Sequence, residues 1–219
     1  MRRKHDYIPA FHFDWLTPWY DPCIAWLFPE TRLRGDMIDQ ARIRAGQRLL
    51  DVGCGTATLT LRAQQAQPEA EVHGLDVDAK ALAIARGKAR KARAGIAWVQ
   101  ATATRLPYPD RSFDRIFASL MLHHLKREAK RLALREAFRV LKPGGELYVL
   151  DFAKPHGVLM WLISLAVRWV EEVHDNILGR LPGFLAEAGF RPVEETARYP
   201  TVAGTIALYR AIKSSENLL

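Results

Sequence analysis

Leu49-Leu50-Asp51-Val52-Gly53-Cys54-Gly55-Thr56-Ala57-Thr58 decides how the rest of this chain is read. A short apolar run fits a strand buried on both faces, and it passes directly into a Gly-x-Gly turn and then a helical pattern. In an open α/β sheet such a turn lies at the carboxyl ends of the strands, where ligands bind. Gly-x-Gly alone is weak, because nicotinamide, flavin and nucleotide sites all use it. Two details sharpen it. Thr58 stands where the dinucleotide fingerprint has its third glycine. Asp51 stands two residues before the first glycine, where its carboxylate would repel a pyrophosphate and would suit a ligand bearing an ammonium and a sulfonium.

The pattern on either side agrees with a parallel sheet and crossover helices. Short apolar runs place strands at 48–52, 71–76, 96–100, 113–119 and 146–152, with helices expected at 58–67, 79–94 and 127–141. Lys142-Pro143-Gly144-Gly145 stops the last of these, since proline cannot continue a helix and glycine admits positive φ. A helical insertion is expected at 157–178, then a short helix up to Gly189 and two closing strands at 192–198 and 205–211. Residues 1–45 read as a helical cap rich in aromatics, broken by Pro18, Pro22 and Pro29, and belonging to the same domain as 46–219.

S-adenosylmethionine (SAM) is a ligand of the kind Asp51 suits. The second strand ends in Gly74-Leu75-Asp76-Val77-Asp78, which puts an acid where ribose hydroxyls could donate to it. Further strand ends carry Ala101-Thr102-Ala103-Thr104, then Ser119-Leu120-Met121-Leu122-His123-His124-Leu125, and the fifth strand is preceded by Leu141-Lys142-Pro143-Gly144-Gly145-Glu146. Taken together and in this order, residues 48–152 resemble the class I SAM-dependent methyltransferases, in the quinone C-methyltransferase-like (UbiE-like) branch. The resemblance implies an α/β, Rossmann-like fold: a seven-stranded, mostly parallel sheet with a reversed last strand, helices on both faces and an N-terminal helical cap. It also implies SAM as cofactor and S-adenosylhomocysteine as product. By matching position, Asp51, Gly53, Cys54, Gly55 and Thr56 would hold the methionine part. Asp76 and Val77 would take ribose and adenine, Thr102 and Ala103 the adenine edge, and Ser119 the wall beside the sulfonium. Ala57 and Thr102 depart from the family's usual glycine and aspartate, and Tyr20-Asp21 only loosely echoes its Tyr-Asp element, with Tyr20 a further cofactor candidate.

Imidazoles titrate near neutrality, so His124, beside His123, and His174, beside Asp175, are the candidate general bases; capping and packing are the bland readings. Cys54 between two glycines reads as a space filler. One His and acid cluster without further ligands argues against a metal site.

Composition bounds the remaining choices. With 219 residues, 49% hydrophobic and 26% charged, the chain reads as one folded domain with its own core. Two cysteines, Cys23 and Cys54, cannot form a disulfide framework, and the basic start Met1-Arg2-Arg3-Lys4-His5 is not followed by an apolar export segment, so a cytoplasmic protein is expected. The net charge of +8 is local: 79–109 holds seven of the 32 basic residues and none of the 24 acidic ones. Leu82, Ala85, Ala89 and Ala92 form an apolar stripe there, and no aromatics interleave the charges from Lys80 to Arg93, which favours a solvated helix face over a nucleic-acid patch. The stretch 158–170 is apolar nearly all round, which leaves a substrate lid, plain core or contact with a membrane surface open. The expected activity is methyl transfer to a small apolar acceptor, quinol- or phenol-like or a lipid. An RNA methyltransferase using 79–109, a nicotinamide oxidoreductase and a binding-only SAM fold are the alternatives. Oligomeric state is not legible.

Overall fold

The computed structural model describes residues 30–157, 160 and 173–215. Tyr20, the aromatic part of the expected cap, and all of 158–170 but Met160 lie outside them. Strand β1 (Arg48–Val52) is buried from Leu49 onward, as its apolar run requires. Its side chains alternate: Leu49 enters one apolar layer, Leu50 and Val52 the other. Helices α1 (Glu30–Ala41) and α2 (Thr58–Ala66) cover the first layer with Leu33, Met37, Leu59 and Ala63. Helices α4 (Arg127–Val140) and α6 (Leu181–Glu187) cover the second with Ala133, Leu134, Phe184 and Leu185. Sheet faces buried on both sides are what a parallel sheet demands.

The other strands are β2 (Glu71–Asp76), β3 (Ala97–Gln100), β4 (Phe113–Ser119), β5 (Leu141–Phe152), β6 (Val193–Thr201) and β7 (Gly204–Ile212). The seven form one sheet in the order β3-β2-β1-β4-β5-β7-β6. Pairs from β3 to β5 are parallel, and β7 runs antiparallel to both β5 and β6. The order reverses between β1 and β4, so the turn after β1 opens into the crevice at the switch point.

Helix α3 (Ala79–Ala92) starts on the Asp78 carboxylate, which accepts from the Lys80 N–H at 2.8 Å. It buries Ala81, Leu82, Ala85 and Ala89 and exposes Arg86, Arg90 and Lys91, so the basic run is a solvated face. Ala92 is exposed rather than part of the stripe, because the helix ends there, with Arg93 in the left-handed conformation.

Strand β5 begins at Leu141, before the proline and glycines, and not at Glu146. Leu141 pairs with Phe113 and Glu146 with Arg115, so four residues bulge out opposite Asp114 alone. Gly145 sits there with no room for a side chain, since a Cβ would stand 2.8 Å from the Lys142 carbonyl. The expected insertion contributes, among the described residues, the single-turn helix α5 (His174–Ile177).

Candidate active site

Gly53 and Cys54 both donate their N–H to the Leu75 carbonyl, at 2.8 and 3.0 Å, which stitches the first turn to the end of β2. Gly53 has φ +71°, and a Cβ on it would lie 2.8 Å from Met121 Cβ. Glycine is needed here for both conformation and space. Gly55, also left-handed, would meet nothing within 4 Å, so the backbone is open to a ligand at this point. Its N–H donates to Asp76 Oδ2 at 2.8 Å, and the Asp78 N–H to Asp76 Oδ1 at 2.9 Å. The second acid is thereby aimed at the glycine turn. Burial raises the Asp76 carboxyl above its usual range against those donors.

Asp51 is almost wholly buried behind the turn. Burial pushes its carboxyl up to about 6, against the Thr60 hydroxyl donating at 2.6 Å and the Arg34 guanidinium, while Asp76 adds a further upward push. Arg34 comes from α1 and lines, with Asp51, Gly53, Gly55, Ser119 and Leu120, a pocket of about 60 Å³. Opposite charges thus meet in one recess, a carboxylate for an ammonium and a guanidinium for a carboxylate, which is the polar end of an amino acid. Ser119, at the end of β4, has a buried hydroxyl without a hydrogen-bond partner among the described residues, facing the same recess. The recess, the open Gly55 backbone and this hydroxyl all fit the methionine end of SAM.

Val77 is half-buried, and its carbonyl accepts from Gln100 at 3.1 Å. Thr102 is exposed, and its hydroxyl is engaged within its own turn, 3.0 Å from the Thr104 hydroxyl and accepting the Thr104 N–H. Ala103 is buried. Thr56 accepts from Lys88 of α3 at 3.1 Å. Cys54 is buried, and burial with the charges of Asp51 and Asp76 pushes its thiol far up, so it stays a neutral filler.

The two expected bases lie apart in the chain and differ in setting. His124 is half-buried in the short 3-10 turn Leu122–His124 that follows β4, its ring 4.1 Å from that of His123. His174 is exposed at the start of α5. Its neighbour Asp175 is taken by Arg127 at 2.6 Å and Arg180 at 2.9 Å, whose guanidinium groups, Arg127 first, hold its carboxyl down at about 2. Among the described residues no group of three or more His, Cys, Asp or Glu could hold a metal ion.

Two residues escaped the sequence. Arg34 carries no local signal, because only the docking of α1 brings it to Asp51. Asp151 did carry one: it is the sole acid in the apolar run Leu147-Tyr148-Val149-Leu150-Asp151-Phe152, and it is completely buried.

A doubly wound sheet with an antiparallel β7, a carboxylate behind the first glycine turn and a second carboxylate at the end of β2 define a class I SAM-dependent methyltransferase. The model of a methyltransferase domain matches residues 49–145. The ubiquinone/menaquinone biosynthesis C-methyltransferase UbiE of Vibrio cholerae is 35% identical over 202 residues, covering 80% of this chain and 75% of that protein. The enzyme of the same name from Yersinia pestis is 36% identical over 203 residues, covering 80% and 78%. Among solved structures, the YcgJ protein of Bacillus subtilis shares the fold, with a TM-score of 0.70 at 20% identity over 84% of this chain and 99% of that one. The chain belongs to the UbiE family of methyltransferases, and SAM is its methyl donor.

Proposed function

We propose that this enzyme methylates a ring carbon of an apolar quinol, a reading carried by its identity to the quinone-pathway C-methyltransferases over most of the chain. Bound SAM supplies a methyl group on a sulfonium and leaves as S-adenosylhomocysteine. On transfer the sulfur would keep the electron pair of its methyl bond, the acceptor's ring carbon would gain the methyl, and the ring proton would pass to solvent. Asp51 and Arg34 hold the amino-acid end, Gly53, Cys54, Gly55 and Thr56 admit the backbone approach, and Ser119 walls the reacting end. Asp76 and Val77 take the ribose and adenine, with Thr102 and Ala103 at the adenine edge, and Tyr20 is a further candidate contact. Holding the acceptor in line and excluding water supply most of the acceleration. His124 is the proposed acceptor of the quinol proton, with His174 as the second candidate.

We assign the enzyme to the cytoplasm, drawing its acceptor from a membrane surface. Among the described residues no helix is long and apolar enough to cross a membrane. The test is transfer of labelled methyl from SAM into a heat-killed cell extract, followed by partition between organic solvent and water, with Asp51→Ala as control. Label in the organic phase that depends on Asp51 is expected. Label in aqueous, nuclease-sensitive material would replace this reading with RNA methylation.

A further inference from the structure

The turn that walls the pocket is held by a carboxylate outside it. Asp151, at the end of β5, takes five donors: the N–H groups of Leu122 at 2.9 Å, His123 at 3.3 Å and Phe152 at 2.7 Å, His123 Nδ1 at 2.8 Å, and Asn176 Nδ2 at 3.2 Å. Burial by itself would raise this carboxyl, yet His123, the Phe152 N–H and Lys130 together hold it below the usual range. An ionised carboxylate only accepts, so the proton in the His123 contact sits on Nδ1. The same turn contains Leu120 at φ +52°, a conformation a leucine adopts only when its surroundings impose it. Leu120 lines the pocket, and Met121 packs where Gly53 has no side chain. Asn176 belongs to α5, so one carboxylate joins the β4 turn, β5 and the end of the 157–178 stretch.

We infer that Asp151 is a positioning residue for methyl transfer: it fixes the ring orientation of His123 and the strained Leu120–His124 turn, and through them the placement and basicity of His124. This rests on the reading of His124 as the proton acceptor. Among the described residues, Asp151 of β5 faces His123 directly, Lys130 of α4 acts electrostatically on Asp151 and on Asp175 of α5, Arg127 of α4 pairs with Asp175, and Tyr209 of β7 lies within electrostatic reach of Asp151. A fixed negative charge favours imidazolium, so its removal lowers the pKa of the pair.

The experiment compares wild type with Asp151→Asn, which keeps the shape but not the charge. The acceptor is a reduced short-chain prenyl-1,4-naphthoquinone lacking the ring methyl. Thermal unfolding and S-adenosylhomocysteine calorimetry are run alongside. Affinity for S-adenosylhomocysteine within about twofold is expected, with kcat reduced roughly ten- to a hundredfold. The acid limb of the kcat/KM profile should move down by about one pH unit. Nitrogen-15 NMR of the wild type should show His123 protonated at Nδ1. An unmoved acid limb, a loss of kcat matched by an equal loss of cofactor affinity, or a His123 that is neutral with its proton on Nε2 would each overturn the inference. A wild type inactive on the quinol removes the acceptor reading alone, and the NMR result on the native protein then decides whether Asp151 sets the histidine.

Discussion

Asp51 is costly to the empty protein, and its proposed role is to hold the ammonium of bound SAM. An acid whose folded-state pKa lies above its unfolded one carries no penalty below 3.8, a growing one between 3.8 and about 6, and the full one above. At neutral pH the penalty amounts to about 3 kcal/mol. Asp51→Asn should therefore raise the melting temperature of the ligand-free protein by several degrees while abolishing measurable SAM binding, a trade of stability for function. A variant that melts lower would contradict the assigned cost of burial. The same shift sets a proton linkage. SAM affinity should be flat above about pH 7 and fall by roughly tenfold per unit below pH 6, as measured by calorimetry in a series of buffers. The importance of Asp51 was legible because a carboxylate before a glycine turn is chemically odd. Its partnership with Arg34 was not, since that meeting depends on how α1 docks beside the end of β1.

The glycine loop and α2 show what single elements impose. Ala57 caps α2 at φ +70°, a left-handed conformation that costs an alanine about 1 kcal/mol relative to glycine. Ala57→Gly should stabilise the protein by about that amount, seen as a melting temperature higher by about 2–4 °C. Gly53→Ala should do the opposite, because its Cβ would displace Met121 and distort the turn that walls the pocket; retained cofactor affinity in that variant would show that the turn tolerates the shift. Periodicity located β1, β2 and β4 to the residue, since their ends coincide with changes in hydrophobic pattern. It failed at β5, where Lys142-Pro143-Gly144-Gly145 reads as a turn but is a bulge. The Gly144 N–H donates to Lys213 and the Lys213 N–H to Gly145, contacts that only the returning β7 provides.

Across the molecule, α1 delivers Arg34 to the proposed cofactor recess and is itself held by distant strands. Tyr199 of β6 donates to Asp36 at 2.6 Å, Tyr148 of β5 to the Gln40 carbonyl at 2.9 Å, and Arg115 of β4 to the Ala41 carbonyl at 3.0 Å. Tyr199→Phe removes one of these ties without approaching the pocket. It leaves the partly buried Asp36 carboxylate short of a donor, at a cost of about 1–2 kcal/mol. The expected result is a lower melting temperature and a SAM affinity weaker by roughly two- to fivefold. An unchanged affinity would show that Arg34 is placed by the packing of Leu33 and Met37 alone.

What this chain declares without folding is whatever depends on neighbouring residues: the strand–glycine turn–helix unit, the acids at the ends of β1 and β2, and the apolar stripe of α3. Those signals lie within a few positions of one another, where backbone geometry links sequence spacing directly to facing direction. The order of strands, the meeting of Arg34 with Asp51 and the grip of Asp151 on the turn above it were settled only by the packed molecule. Such contacts join residues far apart in the chain, and their partners are selected by which faces the two apolar layers bury together.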